Sequence, residues 1–237
     1  MKNVEYSMVG ITDDLGEVPE AENNADYVEF QLDKAQDPLD QLQEYNLDVP
    51  LIISNRPKWA GGTAVDSNRL DKLLAAASSE VVEMVDVELE TITEHEWAEA
   101  ELRENDVELI VSYHDFERTP DKLELEQAIT DCAEYGDIAR VATFAEKRED
   151  SLTLLECLNT ASQRGTRVVG FSLGELGQHT RVIAVFYGSE LCYAPIKLDS
   201  DESEYGEIEL AELAELLETT VHGGDHVQLI DQLSGKF

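Results

Sequence analysis

The chain has 237 residues and carries 52 acidic against 17 basic side chains, a formal net charge of −35 with the acids spread along its whole length. Phosphate contacts need clustered Lys and Arg, so nucleic acid is excluded as a partner, and no apolar run approaches the roughly 18 residues of a membrane span. The 42% apolar content is enough to fill a core, which excludes a chain disordered by composition.

Short apolar, β-branched runs recur along the sequence. In order they are EYSMVGITD (5–13), DYVEFQLD (26–33), VPLIISNR (49–56), EVVEMVDVELE (80–90), VELIVSYHDF (107–116), GDIARVATFA (136–145), TRVVGFSLG (166–174) and LCYAPI (191–196). Helical patterns separate most of them: RLDKLLAAAS (69–78), LELEQAITDCAEYG (123–136) and DSLTLLECLNTASQRG (150–165), with LGEVPEAENNA a weaker helix. Near-continuous apolar strands alternating with helices are the pattern of a parallel sheet covered by helices. Eight such units in this length predict an α/β fold of one closed (β/α)8 TIM barrel over residues 1–237 rather than an open doubly wound sheet.

A dispersed acidic excess implies a surface solvated throughout and destabilised by self-repulsion unless salt screens it, as in the cytoplasm of a salt-accumulating cell. Cys132, Cys157 and Cys192 lie far apart with no CxxC spacing, which predicts buried thiols in a reducing compartment. MKNVEYSMVGITDD lacks a long apolar core and has an acid at position 5, so it does not read as a signal peptide. The expectation is a soluble cytoplasmic protein.

Asp33, Arg56, Glu90, His114 and Asp115 fall at or near the C-terminal ends of strands, the rim where such barrels keep their sites. His114 shares a strand face with Ser112 and Ile110. It reads either as structural or as a group that exchanges protons near neutral pH, with Asp86 as an orienting carboxylate. Arg56 precedes the loop PKWAGG, and Arg181 follows GELGQHT. Two guanidiniums at one rim suit an anionic ligand, a carboxylate above all, and equally suit two surface ion pairs. His95 reads as a solvated residue on a polar helix, and His179 as a helix N-terminal residue near the rim. The spacing of His222 and His226 in HGGDH permits a metal, but the two glycines make it a loose loop, and no metal is assigned. GxGxxG, Walker and GxSxG motifs are absent, leaving nucleotide and esterase chemistry without support and no cofactor implied. Arg140 shares a face with Ile138 and Ala142 in an apolar strand, where a guanidinium is costly unless an anion meets it.

The segments VEFQLD (28–33), NRPKWAGG (55–62), VDVELE (85–90), IVSYHDFERTP (110–120), GDIARVATFA (136–145), FSLGELGQHTR (171–181) and YGSELCYAPI (187–196) together resemble the type I 3-dehydroquinate dehydratases. These are shikimate-pathway lyases of aromatic amino acid biosynthesis, built on a (β/α)8 barrel, and the acidic composition resembles haloarchaeal members. The resemblance implies conversion of 3-dehydroquinate to 3-dehydroshikimate through an imine between an active-site lysine and the substrate ketone. A histidine serves as acid and base, assisted by a glutamate. It also implies a small anionic carboxylate as ligand and a homodimer, although nothing in the chain identifies an interface.

Carried over by position, His114 takes the family histidine's place and Asp86 that of its supporting carboxylate. Glu29, Arg56, Arg181 and Ser203 match substrate-binding positions. The imine-forming lysine, however, aligns with Arg140, the assisting glutamate with Ala60, an arginine with Gln31 and the loop glutamine with Glu207. Imine formation needs a deprotonated nitrogen, which arginine, with a pKa above about 12, does not offer. Lys58 on the rim loop and Lys197 after the last strand do not sit on the strand that points into the family's pocket. Arg140 is expected to pair with Glu29 or another rim acid. Three readings follow: a family member whose imine-dependent dehydration is lost or strongly impaired, an active dehydratase using His114 as base and Arg140 as enolate stabiliser, or a non-catalytic barrel binding a small anion or a partner.

Overall fold

The computed structural model describes residues 4–198 and 206–222. The strands are β1 (Ser7–Thr12), β2 (Tyr27–Gln31), β3 (Leu51–Ser54), β4 (Val82–Glu88), β5 (Glu108–Asp115), β6 (Ile138–Phe144), β7 (Val168–Leu173) and β8 (Leu191–Pro195). Between and after them run α1 (Val18–Ala21), α2 (Pro38–Glu44), α3 (Arg69–Ala77), α4 (Leu89–Glu94), α5 (Glu96–Arg103), α6 (Lys122–Tyr135), α7 (Arg148–Gln163), α8 (Thr180–Ile183) and α9 (Leu210–His222).

Every pairing in the sheet is parallel, in the order β7-β6-β5-β4-β3-β2-β1-β8. The seam between β7 and β8 is spanned by a bridge from Val168 to Ser189. The Glu190 amide donates to the Val168 carbonyl at 2.9 Å, and the Gly170 amide to Ser189 Oγ at 3.2 Å. The predicted α/β barrel is therefore present, nearly closed. Strands β3, β7 and β8 are buried at every residue, as expected where one face meets helices and the other meets the barrel interior. Alternation separates two cores. Val9, Ile52, Met84, Ile110, Ile138 and Val169 fill the interior with Tyr193 and Phe171, while residues such as Leu51, Ile53, Val85 and Val87 pack outward against the helices.

The strands are shorter than the apolar runs suggest. β4 stops at Glu88 and the chain turns directly into α4, so Glu90 is an exposed first-turn residue of a helix and not a strand end. β3 ends at Ser54, leaving Arg56 in the following loop. The weak first helix is a 3-10 turn (Leu15–Glu17) followed by the single turn of α1, which has Pro in its first turn. His95 lies in the non-helical joint between α4 and α5, at φ −128° and ψ 63°, rather than on a helix. α6 is fixed at its start by Asp121, whose carboxylate accepts from the Leu123 and Glu124 amides, a capping arrangement that satisfies otherwise orphaned donors.

The three cysteines are buried and free. Burial pushes the Cys157 thiol up to about 11 and the Cys192 thiol to about 12. Among the described residues no helix is long and apolar enough to cross a membrane.

The −35 charge makes stability depend on screening. The Debye length falls from about 10 Å at 0.1 M salt to about 3 Å at 1 M. Thermal unfolding followed by circular dichroism is expected to move upward from dilute buffer to molar KCl. A gain of ~3 kcal/mol alone corresponds to roughly 6–12 °C in a chain of this size. A Tm that falls or stays level would contradict this account.

Candidate functional site

Barrel interiors fill in layers of side chains taken from alternate strands, with branched apolar residues dominating. One layer here departs from that composition. Glu29 of β2, Asp86 of β4, Arg140 of β6 and Tyr193 of β8 all point inward, and all are almost completely buried. The Arg140 guanidinium lies 3.9 Å from the Tyr193 ring centroid, and its Nη1 donates to Glu29 Oε2 at 2.9 Å and Asp86 Oδ2 at 2.6 Å. Above this layer Arg56 reaches in from the rim, its Nη2 donating to Asp86 Oδ2 at 2.8 Å and Glu29 Oε1 at 3.3 Å. Two serines complete the carboxylates' coordination. Ser54 Oγ donates to Glu29 Oε1 at 2.8 Å and Ser112 Oγ to Asp86 Oδ1 at 2.7 Å. The register makes this local, because Ser54 stands opposite Asp86 and Ser112 opposite Arg140.

Two guanidiniums and two carboxylates thus form a closed, neutral group. Burial pushes the Glu29 carboxyl up, but Arg140 and Arg56 outweigh it and hold the group below the usual carboxylate range. Asp86 follows the same logic, with Arg56 the larger influence. Burial would ease the proton off Arg140, yet Glu29 more than reverses this and Arg140 stays charged.

Over that group opens a cavity of about 240 Å³ at the C-terminal end of the strands, below the ~300–1,000 Å³ of drug-sized pockets and suited to one small molecule. Arg140, Arg56, Arg181, His114 and Gln31 line it, together with Glu207, Lys34 and Ala60. Arg181 comes from α8. Its Nε donates to the Gly206 carbonyl at 3.2 Å and Nη1 to the Tyr193 carbonyl at 3.3 Å, while its guanidinium covers the Phe171 ring at 4.5 Å. Burial lowers its pKa to about 10, Glu207 opposing and Arg140 reinforcing the shift, so it is charged at neutral pH. With Arg56 and Arg140 matched by Glu29 and Asp86, the cavity retains Arg181 and Lys34 against Glu207. Among the described lining residues one positive charge is in excess.

His114 ends β5 beside the cavity, its ring stacked on Phe116. Its pKa is held well below the ordinary value, by burial first and then by Arg56 and Arg140, with Glu29 opposing. It is a neutral imidazole at pH 7, able to accept a proton. Asp86 does not orient it, contrary to the sequence expectation. The two guanidiniums and Ser112 occupy Asp86, and His114 Nδ1 is enclosed with no hydrogen-bond partner.

The rim loop is tied down by Asp33, whose carboxylate accepts from the Arg56 amide at 3.1 Å and the Thr63 amide at 2.9 Å. Gly62 follows from that fold, since a Cβ there would sit 2.1 Å from the Arg56 carbonyl oxygen. Asp33 is thus a staple of the loop. Asp115 likewise accepts from the Glu117 and Arg118 amides.

A second cavity of about 180 Å³ shares Gln31, Lys34 and Glu207 with the first and adds Asp13, Glu17 and Lys197. Lys197 pairs there with Glu17 and Glu20. Lys58 is exposed on the loop. His179 is exposed at the start of α8 and caps nothing with its side chain. His222 is the last residue of α9, and Ser203 and His226 lie outside the described residues. Among the described residues no three His, Cys, Asp or Glu side chains cluster as a metal ion requires.

Sequence reasoning missed Lys34, Phe116, Phe171 and Tyr193 in the cavity and its floor. The two strand aromatics read as ordinary core by alternation. Lys34 and Phe116 each stand just past a strand end, a position that does signal the rim.

The profile of the Type I 3-dehydroquinase family matches residues 10–223. The 3-dehydroquinate dehydratase of Haloquadratum walsbyi is 36% identical over 230 residues, covering 92% of this chain and 93% of its own. That of Halobacterium salinarum is 33% identical over 223 residues, covering 92% and 98%. In fold, the crystal structure of the Geobacillus kaustophilus 3-dehydroquinate dehydratase matches with a TM-score of 0.81 at 21% identity, covering 93% of both chains. A match that starts in β1 and ends past α9, with relatives this similar along nearly their whole length, places the chain in the type I 3-dehydroquinate dehydratase family.

Proposed function

We propose that this family member binds a small carboxylate of the dehydroquinate kind in the 240 Å³ cavity and does not perform imine-dependent dehydration. The observation that carries the reading is the charge of the cavity: Arg181 is buried, donates among the described residues to the Gly206 and Tyr193 backbone carbonyls, and lines a space of a size for one small molecule. A ring carboxylate seated there shares the cavity with the neutral His114 imidazole. The imine is closed to it because residue 140 presents a guanidinium, which has no lone pair for a ketone.

The alternative, proton abstraction by His114 with Arg140 stabilising an enolate, has the imidazole in the required state. Its cation is already matched: Arg140 Nη1 donates to Glu29 and Asp86, so less of the charge is left for a developing enolate, although Arg140 Nε is unbonded.

Calorimetric titration in molar KCl tests the reading. Dehydroquinate, quinate and shikimate are expected to release heat with the wild-type protein. Arg181→Met is expected to weaken binding by about 10- to 100-fold, as for loss of a charged hydrogen bond worth ~1.5–3 kcal/mol. No heat from any of the three acids, or equal affinity in Arg181→Met, would refute it, and so would steady formation of dehydroshikimate by the wild type.

A further inference from the structure

His114 Nδ1 is enclosed and has no hydrogen-bond partner among the described residues, so no bond through it sets the plane of the ring. The ring is nevertheless placed. Its centroid lies 5.7 Å from that of Phe116 with the planes 8° apart, a parallel, offset stack of the kind aromatic rings prefer. Phe116 in turn is pinned from its other end. Gly61, at φ +80°, brings its backbone so close that a Cβ built there would stand 2.6 Å from Phe116 Cζ, with Cε1 and Cε2 at 3.2 and 3.3 Å. Only glycine takes that φ freely and leaves that space. The Gly61 backbone is not free to drift, since the loop is closed by the Gly62 and Ala60 amides on the Pro57 carbonyl and by Asp33 on Thr63.

We propose that Phe116, held against the imidazole by the Gly61 backbone, is the positioning residue that fixes His114 in the cavity and keeps water from its enclosed nitrogen. The proposal rests on the reading of this cavity as a small-carboxylate site, which His114 lines. It replaces the missing carboxylate contact with packing: the imidazole is oriented by a ring and a loop instead of by Asp86.

The charged groups acting on His114 are Arg56 from the rim loop, Arg140 from β6 and Glu29 from β2. None of them is replaced by changes at Phe116, so a shift in the histidine's titration there reports hydration and placement; Gly61 shares the rim loop with Arg56, so its variant is read beside the Phe116 pair. NMR titration of the His114 ring signals in ligand-free protein in molar KCl, assigned by their disappearance in His114→Gln, reads it. In the wild type the midpoint lies well below the ordinary 6.5. Phe116→Ala admits water and is expected to raise the midpoint by about one pH unit or more, as loss of desolvation does. Phe116→Tyr keeps the ring and is expected to titrate as the wild type. Gly61→Ala pushes the Phe116 tip away and is expected to shift the midpoint upward by a smaller amount, which keeps the test available should Phe116→Ala not fold.

An unchanged midpoint in both Phe116→Ala and Gly61→Ala would overturn the proposal, as would a Phe116→Tyr protein that titrates like the alanine variant. The titration needs no ligand and no turnover. If the acids fail to bind while these shifts appear, the binding reading falls and the positioning stands; if they bind and the shifts are absent, the reverse holds.

Discussion

Wild-type protein mixed with dehydroquinate and borohydride in molar KCl is expected to keep its mass, while Arg140→Lys combined with Ala60→Glu is expected to gain a reduced adduct on residue 140. A lone pair decides the difference. A guanidinium at residue 140 stays protonated against Glu29 and Asp86, whereas a lysine amine in an enclosed site has a fraction of unprotonated nitrogen that can add to a ketone. Glu29 and Asp86 would hold that lysine largely as the ammonium and leave a small reactive fraction, and the second change serves a different step. Ala60 lines the cavity together with His114, and a carboxylate there assists the imidazole in moving protons. Dehydroshikimate formation in the double variant should exceed the wild-type rate at least tenfold, equivalent to only ~1.4 kcal/mol of barrier. Lys34 is the one amine on the cavity wall among the described residues. It is exposed and lacks the enclosure that frees a lysine for nucleophilic work. A wild-type adduct mapped by peptide mass to Lys34, Lys58 or residue 140 would overturn this account of the site.

Asp86→Ala is expected to have the largest effect on stability of any single change in the barrel. Asp86 accepts from Arg56, Arg140 and Ser112, so its loss leaves two buried guanidiniums facing Glu29 alone. Breaking one member of a buried ion group costs about 3–5 kcal/mol. At ~2–4 °C per kcal/mol for a chain of this size, Tm falls by roughly 6–20 °C. An exposed pair such as Arg103–Glu99 contributes at most about 0.5 kcal/mol by comparison. The dependence on pH carries the same signature. Glu29 and Asp86 are held below the ordinary carboxylate range when folded. Their contribution is complete above that range and is lost as pH falls through the lowered values. Calorimetric scans of Asp86→Ala should therefore show a shallower loss of stability toward acid than the wild type. A Tm within about 2 °C of the wild type would mean the four-charge group contributes far less than its geometry implies.

The fold was legible because parallel strands buried on both faces write themselves as unbroken apolar runs, and Arg140 stood out as a charge within such a run, while Glu29 came to notice only through the family resemblance. Their mutual pairing was not legible. Arg140 meets a carboxylate 111 residues away and another 54 away, and only barrel closure brings alternate strands to one layer. Alternation alone placed Asp86 on the inward face but could not show that Arg56, entering from a loop beyond β3, would compete for it and leave His114 without a carboxylate. The strand ends drifted for a related reason: Leu89 continues the apolar run while its backbone has already turned into α4. Phe116 and Lys34 belong to loops, where no periodicity marks which way a side chain faces.

The two neighbouring cavities carry opposite electrical characters, and this bears on how a ligand arrives. An acid approaching Arg181 must first cross the field of a molecule at −35, with Asp13, Glu17 and Glu207 beside Lys34 and Lys197 in the adjoining cavity. Salt ordinarily slows association between a charged ligand and the oppositely charged floor that attracts it. Here the long-range field repels and only the last few ångströms attract, so molar salt, with a Debye length of about 3 Å, removes the obstacle and spares the destination. Encounter is expected to be fastest in the same molar salt that is expected to stabilise the fold.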